Sequence, residues 1–139
     1  MAVLAADLLA ALMTAWTANN ATGQPLAGIL GPFRNRAPTS PAPAKPYCVV
    51  TGSSHPSRWE NDRKLYVDLV TFRIYHTTAA LAEQFIRAVA GVFGTFLPTL
   101  AAGAGSVWEV RDTGESWGEE DEGVEWYSIT YQYRRDVPR

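Results

Sequence analysis

The chain has 139 residues, of which 47% are hydrophobic and 12% aromatic, and it carries a formal net charge of −2. That is the length of about one ordinary domain with enough apolar content for a core, which excludes a disordered chain. Twelve bases against fourteen acids leave no basic excess of the kind that draws nucleic acid or an anionic membrane.

Cys48 is the single cysteine, so folding needs no internal disulfide and no oxidising compartment. Residues 1–13 are apolar but contain Asp7 and lack a basic start, unlike a secretory signal. No apolar run approaches the roughly 20 residues of a membrane span. The expected compartment is the cytoplasm, and the expected organisation is a single domain over residues 1–139.

Residues 3–18 read as a helix. Leu4, Leu8, Leu12 and Trp16 recur every fourth position, joined by Leu9 and Met13 in one apolar stripe. Asn19, Asn20 and Gly23 end it. Residues 19–46 form a long irregular stretch in which Pro25, Pro32, Pro38, Pro41, Pro43 and Pro46 oppose any regular ladder or helix. Its apolar piece, 26–33, suits docking on the domain, and its polar piece, 34–45, reads as an extended arm. Residues 47–52 are a short β run, 53–63 a polar loop, and 65–76 the longest strand signal, with apolar residues on both faces.

Thr77 or Thr78 caps a second helix running to about residue 93. Leu81, Phe85, Val89 and Phe93 line its expected buried side, flanked by Ala82, Ile86 and Val92. After a connection at 94–105 comes a hairpin of strands 107–111 and 124–135, with a polar, acidic segment at 112–123 between them. In the last strand Tyr127, Ile129, Tyr131 and Tyr133 share one face. The expected fold is α+β: a four-stranded, mainly antiparallel sheet with two principal helices packed on one face.

Chemistry-bearing residues are sparse. Cys48 and His55 are close in sequence, and a thiolate–imidazole pair is a nucleophile design. Cys48 nevertheless sits in an apolar strand, where a thiol behaves as a small hydrophobe. His55 precedes Pro56 in a polar stretch, as a surface histidine does. Two histidines without metal-ligand spacing predict no metal site. The glycines of 101–105 lack the Lys-Ser/Thr of a phosphate loop, so no cofactor is expected. The run Glu119, Glu120, Asp121 and Glu122 offers oxygen ligands but lacks the alternate spacing and central glycine of a calcium loop, and a solvated turn accounts for it. Trp59 and Trp117 stand in polar segments. Each is either a lid folded back on the core or an interface anchor, since aromatics on polar surface are enriched where proteins meet.

The stretch 45–53, Lys-Pro-Tyr-Cys-Val-Val-Thr-Gly-Ser, resembles the start of a family of small phage proteins. The long strand containing Val70-Thr71-Phe72-Arg73-Ile74-Tyr75, the helix at 79–93 and the Tyr- and Arg-rich last strand follow in the same order. On this layout the chain is similar to the tail-completion, or tail-terminator, proteins of long-tailed bacteriophages and prophages, over residues 3–135. The resemblance implies a structural virion protein, not an enzyme. It implies a homohexameric ring at the head-proximal end of the tail that stops growth of the tail tube and joins it to neck or head-completion proteins. DNA would pass through the channel without specific binding, and no membrane is involved. The nearest alternative is a head-closure or other neck or minor capsid protein. A more distant one is a small α+β enzyme or ligand-binding domain using Cys48. The side chains expected to meet partners are Arg34, Arg36, Arg58, Trp59, Trp108, Trp117, Glu119, Glu120, Asp121, Glu122, Tyr131 and Tyr133.

Overall fold

In the computed structural model, which describes residues 3–138, the Ala- and Leu-rich start forms helix α1 over Ala6–Ala18 and buries Leu8, Leu9, Leu12 and Trp16. These are the expected stripe, because residues three and four apart share one side of a helix. Ala5 carries no capping side chain. Its N–H instead donates to Ser54 Oγ at 2.8 Å, which ties the helix entry to the sheet.

Five strands follow: β1 (Leu30–Arg34), β2 (Tyr47–Glu60), β3 (Arg63–His76), β4 (Ser106–Asp121) and β5 (Val124–Pro138), with helix α2 (Ala79–Phe93) between β3 and β4. They form one sheet in the order β1-β2-β3-β5-β4. The β1–β2 pair is parallel and the other three pairs are antiparallel. The expected four-stranded, mainly antiparallel sheet is therefore corrected to a five-stranded mixed one. The extra strand lies inside the Pro-rich stretch. Its five residues include Gly31 and Pro32, and Pro is admitted because β1 is an edge strand. A parallel pair requires a crossover of about a dozen residues, and segment 35–46 supplies it. The length of this arm thus has a topological cause.

The strands also outrun their apolar signals. β2 continues through the polar 53–60, paired with β3 down to Glu60↔Arg63 across the Asn61 turn. β4 continues to Asp121, so the supposed loop 112–121 is strand paired with β5.

Both helices pack on one face of the sheet. The core there joins Leu8, Leu12 and Trp16 of α1, Ala82, Ile86, Val89 and Phe93 of α2, and Cys48, Val50, Val70, Phe72, Ile74, Ile129, Tyr131 and Tyr133 of the sheet. Phe72 stacks on Phe93 at 4.8 Å and on Trp16 at 6.0 Å between ring centroids, so one strand residue locks both helices. Truncating such a ring costs roughly 3–5 kcal/mol. The buried side of α2 is turned slightly from the expected one: Ala82 and Ile86 are buried, whereas Leu81 is exposed. Thr78 caps this helix, accepting from the Leu81 N–H at 3.2 Å, and Glu125 accepts from the Ala79 N–H at 2.8 Å.

One ion pair is buried on the same face. Arg135 donates from Nε and Nη2 to Asp68 at 2.8 and 2.9 Å, and its guanidinium lies over the Tyr66 ring. No described helix is long and apolar enough to cross a membrane.

Candidate interaction surface

The face of the sheet away from the helices carries a second, smaller core at one end. Tyr47 stacks on Tyr75 at 4.9 Å, Phe33 meets Tyr47 edge-on, and Val49, Ala37, Val124 and Trp126 pack around them. Alternation explains the grouping: odd-numbered β2 and β3 residues point away from the helices, so Tyr47, Val49 and Tyr75 share this side. The 35–46 arm lies over it, held at its far end by Lys45 Nζ donating to the Gly123 carbonyl at 2.9 Å. Between arm and sheet runs an open cleft of about 530 Å³, lined by Tyr47, Val49, Tyr75 and Val124 of the sheet and by Arg36, Glu120 and Asp121. Burial, and then the charge of Glu120, push the Tyr47 hydroxyl pKa upward.

Beside this core Arg73 lies 3.7 Å from the Trp126 ring centroid. The same indole packs where Gly118 has no side chain; a Cβ at 118 would stand 2.7 Å from the ring.

The exposed anchors expected from the sequence gather on the margins of the sheet. Trp108 and Trp117 are 50% and 68% exposed, and both belong to β4, whose outer edge pairs with no described strand. Trp117 stacks on Tyr127 at 6.1 Å, so its second face is the presented one. Glu119, Glu120, Asp121 and Glu122 are all exposed, at the end of β4 and in the turn after it. Arg34 and Arg36 are exposed at the opposite margin, on β1 and just past it. Arg58 and Trp59 stand near the end of β2, where Arg58 pairs with Glu60 at 3.3 Å and Lys64 lies over the Trp59 ring.

Two expected partner residues are placed otherwise. Tyr131 and Tyr133 are 1% and 0% exposed and belong to the protein's own core. Their strand face is the helix-covered one, so they offer no surface to a neighbour. Their hydroxyls have no hydrogen-bond partner among the described residues, and burial raises both pKa values, that of Tyr131 to about 12.

A Cys48–His55 pair does not form. Cys48 is fully buried on the helix face, and burial drives its thiol pKa upward, the reverse of what a reactive thiolate needs. His55 lies on the other side of the sheet, 2.7 Å from Ser53 Oγ. Among the described residues no group of three or more His, Cys, Asp or Glu is placed to hold a metal ion.

The sequence did not single out one cluster. Arg87 of α2 bonds to Glu115 of β4 through both terminal nitrogens and to Glu83 at 3.1 Å, while the Tyr127 hydroxyl donates to Glu115 at 2.7 Å. The Arg87 and Tyr127 hydrogen bonds hold the Glu115 carboxyl below its ordinary pKa. The pattern pins the exposed strand to the helix layer and fixes the ring on which Trp117 stacks. The Glu83–Arg87 spacing was a readable signal, but Glu115 comes from across the sheet and was not. No protein-family model matches the chain, and no curated protein is significantly similar to it.

Proposed function

We propose that this chain is a structural assembly protein of a long-tailed phage or prophage, a tail terminator. It forms a ring at the head-proximal end of the tail, stops the tube and receives the neck proteins. The observation that carries the reading is the division of side chains between core and margin. The thiol and the Tyr131 and Tyr133 side chains are buried, while indoles and charged side chains stand exposed towards the two edges of the sheet. Exposed Trp and Arg on a rigid frame suit protein contact, where those residues dominate the energetics. The layout that resembles tail-completion proteins supports the same reading: the Tyr-Cys-Val-Val stretch opens β2, the long apolar strand is β3, and the Tyr- and Arg-rich strand is β5.

The test is to mix the purified chain with tail tubes assembled without a terminator and view them by negative-stain electron microscopy. A ring seated on one end of the tube, with tube length no longer growing, is expected. Binding to DNA-filled heads but not to tubes would move the protein to the neck or head-closure class. Binding to neither would overturn a virion role.

A further inference from the structure

The cleft under the arm holds two polar groups that the protein's own side chains and backbone leave unbonded. Tyr47 and Tyr75 are each 8% exposed, and both line the cleft. They are cross-strand partners in register, and their rings lie within 10° of parallel. Neither hydroxyl forms a hydrogen bond with a described residue. The Tyr131 and Tyr133 hydroxyls are unbonded and sealed from solvent, whereas those of Tyr47 and Tyr75 are unbonded and reach the cleft. Polar groups on side chains this buried are ordinarily paired, so the two phenols point to a ligand. The cleft's volume of about 530 Å³ lies within the roughly 300–1,000 Å³ of ligand sites.

The lining narrows the class of ligand. A molecule of one charge is disfavoured, since Arg36 lines the cleft together with Glu120 and Asp121. A planar aromatic finds little free ring face: Tyr47 and Tyr75 cover each other, Phe33 meets Tyr47 edge-on, and Trp126 packs against the same cluster. What the cleft offers is a pair of hydroxyl donors among small apolar walls, Pro38, Ala42, Val49 and Val124. A proline-rich extended chain matches that offer. Proline has no N–H, so the chain presents apolar rings and carbonyl acceptors. In polyproline II form those carbonyls have no internal partner, and the preformed helix loses little entropy on binding. The protein already seats a stretch of this composition here. Its own arm, with Pro38, Pro41, Pro43 and Pro46, packs Ala37 on the tyrosine cluster and leaves both hydroxyls unbonded.

We infer that the cleft binds a proline-rich segment of a partner protein in polyproline II form, with the Tyr47 and Tyr75 hydroxyls donating to its backbone carbonyls. Such a segment can belong to any partner, so the site does not depend on the terminator reading. The competing account is that solvent satisfies both hydroxyls and the arm is a permanent cover. It predicts no saturable peptide binding.

The probe is octaproline with blocked ends, and the control is a Gly-Ser peptide of equal length. Each is titrated into the full chain and followed by amide NMR shifts. Octaproline should bind saturably with a Kd below ~1 mM, moving amides of the arm and of the strands beneath it, and the Gly-Ser peptide should not bind. Y47F/Y75F deletes both donors and keeps both rings. Circular dichroism and the urea midpoint should match wild type, because neither hydroxyl is bonded within the fold. This variant should bind octaproline at least about tenfold more weakly, the loss expected for two hydrogen bonds. Y131F/Y133F deletes two hydroxyls from the helix-side core and should bind octaproline like wild type. Absence of saturable octaproline binding, equal binding of the Gly-Ser peptide, or a Y47F/Y75F variant that binds like wild type would each overturn the site. Self-association of the free chain that Y47F/Y75F abolishes would give the cleft to a second copy and overturn it as well.

Discussion

Among single residues, Asp68 and Arg135 stand apart because they bury full charges, with the two residues 0% and 6% exposed. The two hydrogen bonds to Asp68, ahead of the cost of burial, raise the Arg135 pKa above its ordinary value. A buried pair of this geometry roughly balances its own desolvation, so its removal as a unit is tolerated, whereas loss of one partner strands the other charge. Asp68→Asn should therefore lower unfolding free energy by about 3–5 kcal/mol, and the joint D68L/R135M replacement should recover most of that loss. Urea unfolding of the three proteins measures it; a single variant as stable as wild type would show that the pair carries no such penalty. Cys48 gives a second reading at this scale. A buried, protonated thiol reacts only when the chain opens, so its labelling by a thiol reagent should follow global unfolding and accelerate in urea. Fast labelling of the folded protein would contradict its burial.

At the scale of elements, the sequence told most where a residue pattern had one apolar side. The α1 stripe, Thr78 as cap, the Tyr127–Tyr133 face and the central strand all follow from such patterns and stand in the structure. Strand ends were illegible for a physical reason. Six of the last six β2 residues, and most of β4, are exposed, so they have no apolar alternation to show, and their pairing is fixed by the neighbouring strand. β1 was hidden because Gly31 and Pro32 read as breakers, and its parallel partner begins only after the arm. Of the candidate surface, the Trp and Arg side chains singled out from the sequence are exposed along the sheet, whereas the burial of Tyr131 and Tyr133 depended on which face the helices cover. The arm supplies a prediction here. Its grip on the sheet is the Tyr47–Tyr75 cluster under Ala37, separate from the helix-side core. Tyr75→Ala should cost about 3 kcal/mol and make the 35–46 segment the first site of limited proteolysis, with α1 and α2 still protected. Cleavage that begins in the helices would show that the two clusters are not independent.

For the whole molecule, pH reports how much of the core is closed. Tyr131 and Tyr133 are the two phenols packed among Phe72, Ile129 and the helices. Burial raises the folded-state pKa of each, to about 12 for Tyr131, whereas in the unfolded chain a tyrosine titrates near ~10. The sign follows from linkage. Below pH ~10 both states bind the phenolic protons, and stability is unaffected by them. Above it the unfolded chain releases protons that the folded chain keeps, so stability falls as pH rises, by about 1.4 kcal/mol per pH unit for each such tyrosine. The loss continues until the folded-state values are passed. Urea midpoints should thus be level in the neutral range with respect to these groups and drop steeply from pH ~10 upward. Neither hydroxyl has a hydrogen-bond partner among the described residues, so Y131F/Y133F removes nothing the fold depends on. The double variant should match or exceed wild-type stability at neutral pH and keep its midpoint further into alkali. The first phase of the ultraviolet tyrosinate titration should be the same size in folded wild type and in Y131F/Y133F, because Tyr131 and Tyr133 ionise only with unfolding. If that phase is smaller in Y131F/Y133F than in wild type while the far-ultraviolet dichroism stays native, the helix layer does not seal this face of the sheet.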